Sequence, residues 1–303
     1  MNRKISFWIL GILVVVVITG GVYAYNIYTS VSSTLDKIHK PLNSQHSTKR
    51  IEEIKGENAK PISILLMGTD ERGAERGRSD SLMLLTLNSK QKSMKLLSIP
   101  RDTYTEMVGK DKKDKINHAY AFGGIDMAVK SIENFIGIPV DYYITVNMKG
   151  FKEVVDVIQG VDVENDLEFS LEGMHFEKGN IHLDGEQALK YTRMRKEDPN
   201  GDFGRQTRQR QLLEALVKKG ANSSLLTNYS DLLKIIEKNV KTNLTKNQML
   251  AIQKEHKNTI LNKEYIQIPG EGHLQEGIWY YFVSKKDRQD LSAKLKEHLE
   301  VSK

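Results

Sequence analysis

The 303-residue sequence contains no cysteine, so no disulfide can stabilise any part of the chain. Its histidines do not fall in zinc-ligand spacings, no Ser-His-Asp arrangement is evident, and no internal repeat is visible. Hydrophobic residues make up 39% of the chain and charged residues 28%, which is typical of a folded globular protein and not of a disordered one. We therefore expect a domain that is stabilised by its apolar core alone.

Charged residues are also absent from residues 5–25, a run rich in Val, Ile, Leu and Gly. The run is long enough to cross a bilayer as one helix, and Arg3 and Lys4 before it predict a cytoplasmic N-terminus. A cleaved signal peptide is the alternative, although its apolar stretch normally has only about 7–15 residues. The pattern predicts a single-pass type II protein of the cell membrane, with a cytoplasmic tail (1–4), a signal-anchor helix (5–25) and everything beyond exported.

The charge balance bears on possible partners. The formal net charge is +6 and the isoelectric point is near 9.1. On the outer side of a membrane, a mild basic excess favours anionic lipid or anionic polymer over nucleic acid. No recognition-helix motif is apparent, so we expect no nucleic-acid partner.

Beyond the anchor, the sequence predicts an α/β fold. Three apolar runs, Ile62–Met67, Ser81–Leu87 and Met94–Ile99, are bounded by Gly and Pro in the manner of buried strands, and helical patterns alternate with strands after them. We expect a central mixed sheet flanked by helices. The predicted divisions are an extracytoplasmic linker (26–60), a catalytic domain (61–220) and a C-terminal helical and strand extension packed on the same domain (221–303).

Some helices can be placed more closely. An apolar period predicts a helix over Asp126–Phe135. Asp184, followed three positions later by Gln187, resembles a capping box and predicts a helix that runs to about Arg195. A further helix is expected over Gly204–Lys219.

Two aspartates mark the first candidate site. Asp70 follows one predicted strand, and Asp80 precedes the next. Strand ends border the usual ligand crevice of an open α/β sheet, where two carboxylates could hold a hard cation such as Mg²⁺. The alternative is ordinary turn chemistry, because Asp, Gly and Ser are common in loops.

A second candidate lies at the end of the third strand, where Arg101 and Asp102 follow Pro100. The planar guanidinium of arginine matches phosphate oxygens, and Lys115 could add a point charge. Asp102 is a candidate general base. A simple Arg–Asp salt bridge is the competing interpretation.

The third candidate is the densest. Arg193 and Arg195 precede a predicted helix on which Arg205, Arg208 and Gln209 share one face. The start of that helix also directs backbone N–H groups towards an anion. Charged runs are more often solvated helix surfaces, but three Asp/Arg clusters at strand ends and helix starts together favour an anion site.

These motifs, in this order and spacing, resemble those of the LytR-CpsA-Psr family over roughly residues 61–220, after the single anchor typical of that family. The resemblance is closest to the Gram-positive wall teichoic acid transferases. The segments that carry it are Gly68-Thr69-Asp70, Arg78-Ser79-Asp80, Ile99-Pro100-Arg101-Asp102, Lys115-Ile116-Asn117, Arg193-Met194-Arg195, and Gly204-Arg205 through Arg208-Gln209.

The resemblance implies a sheet flanked by helices, an apolar pocket for a polyprenyl chain, and a Mg²⁺ cofactor held by Asp70 and Asp80. It implies catalytic roles for Arg101, Asp102, Arg195 and Arg205. The implied reaction moves an anionic glycopolymer from its polyprenyl-pyrophosphate carrier to a sugar hydroxyl of peptidoglycan and releases polyprenyl phosphate. The implied pyrophosphate ligands are Arg78, Arg101, Lys115, Arg193, Arg195, Arg205, Arg208 and Gln209.

Other functions stay open at this point. The same site could hydrolyse the lipid pyrophosphate, with water in place of the sugar hydroxyl. A non-catalytic envelope regulator tethered to the membrane could bind the lipid without turnover. The sequence does not identify the polymer, the residues that line the lipid pocket or the oligomeric state.

Overall fold

The computed structural model describes residues 25–43, 49–50, 60–71, 76–220 and 228–301. The predicted membrane segment, 5–25, lies outside these ranges except for its last residue. Within the described ranges, no helix is both long and apolar enough to cross a bilayer.

The described chain alternates between helices and strands. A short 3-10 helix at Lys257–Leu261 also precedes β12. In chain order the elements are α1 (25–38), β1 (Ile62–Thr69), β2 (Ser79–Asn88), β3 (Ser93–Ser98), β4 (Tyr104–Glu106), β5 (Lys113–Lys115), α2 (His118–Ile136), β6 (Tyr142–Asn147), α3 (Met148–Val157), β7 (Val161–Asn165), β8 (Phe169–Leu171), β9 (Met174–Phe176), β10 (Gly179–Leu183), α4 (Gly185–Tyr191), α5 (Asp202–Gly220), α6 (Tyr229–Asn239), β11 (Val240–Thr242), α7 (Lys246–His256), β12 (Asn262–Gln267), β13 (Glu271–Gln275), β14 (Ile278–Phe282) and α8 (Lys285–Leu299).

Six of the described strands form a central mixed sheet in the order β11-β6-β1-β2-β3-β12. β1 and β2 pair antiparallel, as do β2 and β3, whereas β1 with β6 and β3 with β12 are parallel. The predicted mixed sheet flanked by helices is confirmed.

Side chains of β1 alternate between two apolar layers, as strand geometry requires. Leu65 and Met67 pack in a core that also includes residues of α2 and α8. Ile62 and Ile64 face the opposite side and join a smaller core with residues at and after Leu244, including two of α7. The sheet is thus apolar on both faces, which explains why its inner strands read as continuous apolar runs.

Residues beyond 220 contribute to the sheet itself. β11 pairs with β6, and β12 pairs with β3, so both edge strands come from the C-terminal part of the chain. Helix α8 packs back onto β2 and α2. The sheet therefore extends across the predicted division at residue 220.

The predicted linker, 26–60, includes a helix that the sequence pattern did not suggest. Helix α1 occupies 25–38, and its last residue, Ile38, is buried. The chain then follows the sheet edge, where the backbone N–H of Lys40 donates to the carbonyl of Thr242 at 2.7 Å. The Tyr143 hydroxyl donates to the carbonyl of Lys40 at 2.6 Å. This part of the predicted spacer is docked on the domain.

Two predicted helix boundaries are wrong. Helix α2 begins at His118 instead of Asp126, and it is interrupted at Gly124, whose φ of 65° and ψ of −154° are not helical. Helix α4 has the predicted capping box at Asp184 but ends at Tyr191, short of the predicted Arg195. The arginines that follow α4 are therefore held by a loop, because no helical ladder continues through them.

Candidate active site

Asp70 and Asp80 lie at the same end of two paired strands. Thr69 of β1 pairs with Ser79 of β2, with an irregularity after Gly68, and the backbone N–H of Asp70 donates to the carbonyl of Arg78 at 2.9 Å. The register therefore brings the two predicted metal-binding aspartates to neighbouring positions at one end of the central strands.

Arg101 lies at the same end of the sheet, because it follows the last residues of β3. Its Nη1 lies 3.0 Å from Oδ1 of Asp80, and the side-chain amide of Asn117 donates to the same oxygen at 3.1 Å. Burial alone would raise the pKa of Asp80, but Arg101 and Asn117 together hold this pKa below its ordinary value. Asp80 is therefore a carboxylate at neutral pH.

Asp102 is surrounded by three cations. Its carboxylate lies 2.8 Å from Nζ of Lys115, 3.7 Å from Nε of Arg101 and 3.8 Å from Nη1 of Arg195. The short β4–β5 ladder places Lys115 opposite Tyr104, two residues after Asp102. These contacts match the salt-bridge interpretation of Asp102, and they group predicted residues from three chain segments.

Arg205 is the most buried cation of the group, with 5% of its surface exposed. It lies in the first turn of α5, where its Nη2 is 2.6 Å from Oδ1 of Asp202. Burial lowers the pKa of Arg205, and the nearby Arg101 acts in the same direction while Asp202 opposes it. Clustered, desolvated cations of this kind favour the approach of an anion.

Two guanidinium nitrogens in this group lack a hydrogen-bond partner among the described residues. They are the buried Nε atoms of Arg101 and Arg205. An unsatisfied buried donor costs free energy unless another group completes it. Guanidinium nitrogens of Arg50, Arg210 and Arg288, outside this group, also lack a hydrogen-bond partner within the described ranges. What fits a phosphate ligand here is therefore the convergence of several arginines, because guanidinium groups match phosphate oxygens.

Gln209 ties α5 to the start of β2. Its Oε1 accepts a hydrogen bond from the Ser81 hydroxyl at 3.1 Å. The predicted ligand Gln209 therefore contacts the residue that follows Asp80. Arg205 lies one turn earlier on the same helix.

The prediction that Arg208 binds pyrophosphate is not supported by its contacts. The side chain is buried, and all three guanidinium nitrogens are engaged within the protein. Nε donates to the carbonyl of Tyr191 at 3.2 Å, Nη2 to that of Met194 at 2.7 Å, and Nη1 pairs with Asp198 at 2.6 Å. Arg208 thus anchors the 191–198 loop to α5, which is a positioning role.

Arg78 and Arg193 are exposed, and the structure does not place them in the ion-pair group around Asp80 and Asp102. Arg193 instead adds a weak favourable charge beside Glu186 of α4. Both side chains are long enough to turn towards a ligand, but the described contacts assign them no place in the site.

Sequence reasoning did not select two polar residues that the structure places here, Asn117 and Asp202. A signal for Asp202 was present, because it precedes Arg205 by three positions on the same helix. Asn117 could have been suspected from its position two residues after Lys115. Its contact with Asp80 depends on the tertiary fold.

Asp70 and Asp80 offer carboxylate oxygens, the ligand type that Mg²⁺ prefers. No group of three or more His, Cys, Asp or Glu residues is arranged for a metal within the described parts of the chain. Mg²⁺ commonly takes only one or two protein carboxylates and completes its octahedron with water and phosphate oxygens. The pair Asp70 and Asp80, at the end of the sheet where Arg101 also lies, fits that pattern.

An apolar surface adjoins the site on the sheet. Leu66 of β1, Leu85 of β2 and Ile144 of β6 lie in central strands on the face opposite α2, yet each is only partly buried. Leu66 pairs in register with Ile144. Central-strand residues are normally fully covered, so this partly exposed apolar face could accept a lipid chain.

A separate cavity of about 300 Å³ lies between α2 and β6, and its lining is polar. Tyr120 donates a hydrogen bond to Glu71, and Lys241 pairs with the same carboxylate at 3.2 Å. Charged walls do not suit a polyprenyl chain.

Comparison with known proteins identifies the fold. The model of the LytR_cpsA_psr family matches residues 25–297. This chain belongs to the LytR-CpsA-Psr family.

Relatives in this family are close over the full length. Proteins named polyisoprenyl-teichoic acid–peptidoglycan teichoic acid transferase TagU are similar to it. The one from Bacillus mycoides strain KBAB4 is 60% identical over 304 residues, covering 100% of both chains. The one from Bacillus licheniformis is 48% identical over 298 residues, covering 98% of this chain and 97% of the relative.

Solved structures agree. The crystal structure of B. subtilis TagU superposes with a TM-score of 0.65 at 45% identity and covers 80% of this chain and 99% of that one. A structure described as TagT bound to LIIa-WTA has a TM-score of 0.72 at 32% identity, with coverage of 87% and 100%. The family resemblance predicted from the motifs is confirmed.

Proposed function

We propose that this protein is a phosphotransferase that moves an anionic wall glycopolymer, of the teichoic acid class, from a polyprenyl-pyrophosphate carrier to a peptidoglycan sugar hydroxyl. The observation that carries the proposal is the convergence of two arginines from different segments, the partly buried Arg101 and the buried Arg205, on Asp80. Full-length relatives named as enzymes of this reaction support the choice of substrates.

In the proposed reaction, the acceptor oxygen forms a bond to the phosphorus next to the polymer. The bond from that phosphorus to the bridging oxygen breaks, and polyprenyl monophosphate leaves with the electron pair. Arg101 and Arg205 hold non-bridging oxygens and stabilise the charge that develops on them. Because both guanidinium groups are fixed by carboxylates before substrate arrives, little reorganisation is needed.

Asp102 has two possible roles in this reaction. It can accept the proton of the attacking hydroxyl, or it can only hold Lys115 and Arg195 in place. An Asp102→Asn variant separates the two roles. If Asp102 accepts the proton, the transfer rate of the variant should no longer increase with pH. If Asp102 only positions Lys115 and Arg195, the variant should instead show a higher substrate KM at every pH.

Asp70 and Asp80 are the proposed ligands of Mg²⁺, which would supply positive charge to the phosphate oxygens. We expect Mg²⁺ to raise the unfolding temperature of the wild-type protein and to have about ten- to a hundredfold weaker apparent affinity for Asp80→Asn. Thermal unfolding at a series of Mg²⁺ concentrations measures this without substrate. An unchanged Mg²⁺ dependence in Asp80→Asn would remove Asp80 from the proposed site.

The partly exposed apolar face around Leu66, Leu85 and Ile144 is the proposed seat of the polyprenyl chain. The face includes residues of β1 and β2, and the two aspartates lie at the ends of these strands. The pyrophosphate of a lipid on this face would therefore lie near Asp80 and Arg101. The anchor proposed for residues 5–25 would keep the exported domain at the membrane surface, where such a lipid resides.

Reconstitution tests the proposed function. Purified full-length protein is given a lipid-linked teichoic acid precursor, with and without a peptidoglycan glycan, and both the attached polymer and the released lipid phosphate are measured. Acceptor-dependent release supports transfer. Equal release without acceptor would indicate a lipid pyrophosphatase, and lipid binding without any release would indicate a non-catalytic receptor.

Arg205→Ala and Arg210→Ala form a matched pair for this assay, since both arginines lie on α5. Arg205 belongs to the site, whereas Arg210 bonds Thr207 and stacks near Tyr265. Transfer should be lost in the first variant and retained in the second.

A further inference from the structure

The hairpin formed by β13 and β14 carries an exposed tryptophan. Trp279 is 50% exposed and pairs in register with Leu274, which is exposed as well. The two side chains share one face of the hairpin, because directly opposed residues of antiparallel strands point the same way. A large exposed aromatic ring beside a second exposed apolar residue is a candidate binding surface.

The Trp279 ring lies against Gly272 of the neighbouring strand. A Cβ added to Gly272 would lie 2.1 Å from Cζ2 of the indole, so only glycine leaves room for the ring in this orientation. The ring is therefore held close to the hairpin at Gly272, while half of the residue's surface stays exposed. Such a surface suits the C–H face of a sugar ring.

The same hairpin is joined to the candidate active site. The backbone N–H of Tyr281 donates to the carbonyl of Asp102 at 2.9 Å, and the Tyr281 ring contacts Phe203, beside Asp202, with centroids 5.9 Å apart. Trp279 lies two residues before Tyr281 on β14, roughly 7 Å along the strand, and on the same face. The exposed ring thus lies on the hairpin whose backbone bonds to that of Asp102.

The charge of the hairpin decides between possible ligands. Glu271 and Glu276 are its only formally charged residues, in a chain whose net charge is +6. Negative charge disfavours both an anionic bilayer surface and the anionic polymer of the donor. An uncharged stretch of glycan meets no such repulsion.

We propose that Trp279, lying on Gly272, is a stacking platform for the acceptor glycan of peptidoglycan, which it orients so that a sugar hydroxyl reaches the Asp102 side of the site. This inference rests on the proposed transfer function, because only a transferase needs an acceptor sugar. Trp279 is a binding residue here and takes no part in bond making.

A fluorescence titration tests the platform without any turnover. The sequence has two tryptophans, Trp8 and Trp279, so the full-length Trp8→Phe protein reports on Trp279 alone. Soluble peptidoglycan glycan oligosaccharides should change its emission in a saturable way. The added Gly272→Val substitution should abolish that change, because the valine side chain displaces the ring. No emission change at any oligosaccharide concentration would overturn the proposal.

Kinetics provide the second arm. Trp279→Ala should raise the KM for the acceptor about threefold to tenfold, with the donor KM and kcat little changed. Trp279→Tyr should recover part of the loss. Ile278→Ala is the matched control, because Ile278 is 49% exposed but lies on the opposite hairpin face.

Failure of the inference and failure of the proposed function give different results. If wild-type protein transfers no polymer but glycan still alters Trp279 emission, glycan binding at Trp279 stands, while the transfer proposal and the acceptor role of that glycan fall. If Trp279→Ala keeps its acceptor KM but loses binding to vesicles of phosphatidylglycerol and phosphatidylethanolamine, the ring is a membrane contact and the platform is refuted.

Discussion

The two ends of the central sheet use buried polar groups differently. At the base end, where β1 and β6 begin, the Asp141 carboxylate accepts hydrogen bonds from the Ser63 backbone at 2.8 Å and hydroxyl at 3.0 Å, and pairs with Arg50 at 2.7 Å. At the site end, Arg101 and Asp80 also form an ion pair, but their side chains are 24% and 25% exposed, against 10% and 6% for Arg50 and Asp141. The base end stabilises the fold, while the site end keeps its charged groups accessible to a ligand.

His298 shows the same principle at the base end. Its ring lies between the hydroxyls of Thr86, 2.8 Å from Nδ1, and Ser93, 2.9 Å from Nε2. Burial, together with nearby Lys95, lowers the pKa of His298 to about 4. Both ring nitrogens have hydrogen-bond partners in the neutral form. This histidine therefore has a structural role, in which it joins strands β2 and β3 to α8.

The largest effect is expected at the base end. Asp141→Ala should lower the free energy of unfolding by about 3–5 kcal/mol, because it leaves Arg50 and the Ser63 hydroxyl without their buried partner. Urea unfolding measures the change. Asp162→Ala, at an exposed pair with His182, is the control and should cost less than about 1 kcal/mol. Equal costs would mean that burial does not distinguish the two pairs.

Arg208→Ala tests the comparison at an arginine close to the site. The guanidinium nitrogens of Arg208 all bond to groups of the protein, as the buried polar groups at the base end do. We expect a loss of about 3 kcal/mol in unfolding free energy, since Asp198 and two carbonyls lose their partner. If the variant instead keeps its stability and loses donor affinity, Arg208 is a substrate ligand and its assignment to positioning is wrong.

Arg101→Lys tests the site end by keeping the charge and removing the fork. Transfer should fall about a hundredfold, because an ammonium cannot contact Asp80 and a phosphate oxygen with fixed geometry. The free energy of unfolding should change little. Rates at saturating substrate and urea curves together check this, and Arg210→Lys on α5 serves as the control. Unreduced transfer would show that only charge is needed at this position.

The smallest effect concerns pH. His298 is harder to protonate in the folded protein, with a pKa of about 4 against 6.5 for an ordinary histidine, so the unfolded chain binds more protons between these values. Its contribution to stability is complete above pH 6.5 and declines as the pH falls towards 4. His298→Gln should therefore flatten the pH dependence of the unfolding free energy in that window. Identical slopes in both proteins would refute this role.

The strands of the sheet were predictable because local pattern and tertiary environment agree. The runs at Ile62–Met67 and Met94–Ile99 are mostly buried, and both form strands within a residue or two of the predicted limits. Helix α2 was predicted too short, because its first turns at His118 carry Gly123 and Gly124, which weaken any helical signal. Short strands such as β4 and β5 carry too few residues to show a period.

The candidate site was predictable in part. Asp80, Arg101 and Arg205 were selected as charged residues at strand ends and helix starts, and the fold brings them together. Arg208 fits the same sequence rule, since it shares a helix face with Arg205. Its guanidinium nevertheless points to Asp198, because the loop after α4 closes over that face.

The sequence by itself determined the layered α/β architecture and the pool of charged residues from which a site could be built, because apolar periodicity and strand-end position are local properties. Only the tertiary structure decided which arginines converge on Asp80 and that Trp279 lies against Gly272. Those outcomes depend on contacts between strands and between segments far apart in the chain, and no local pattern records how a carboxylate is shared among distant cations.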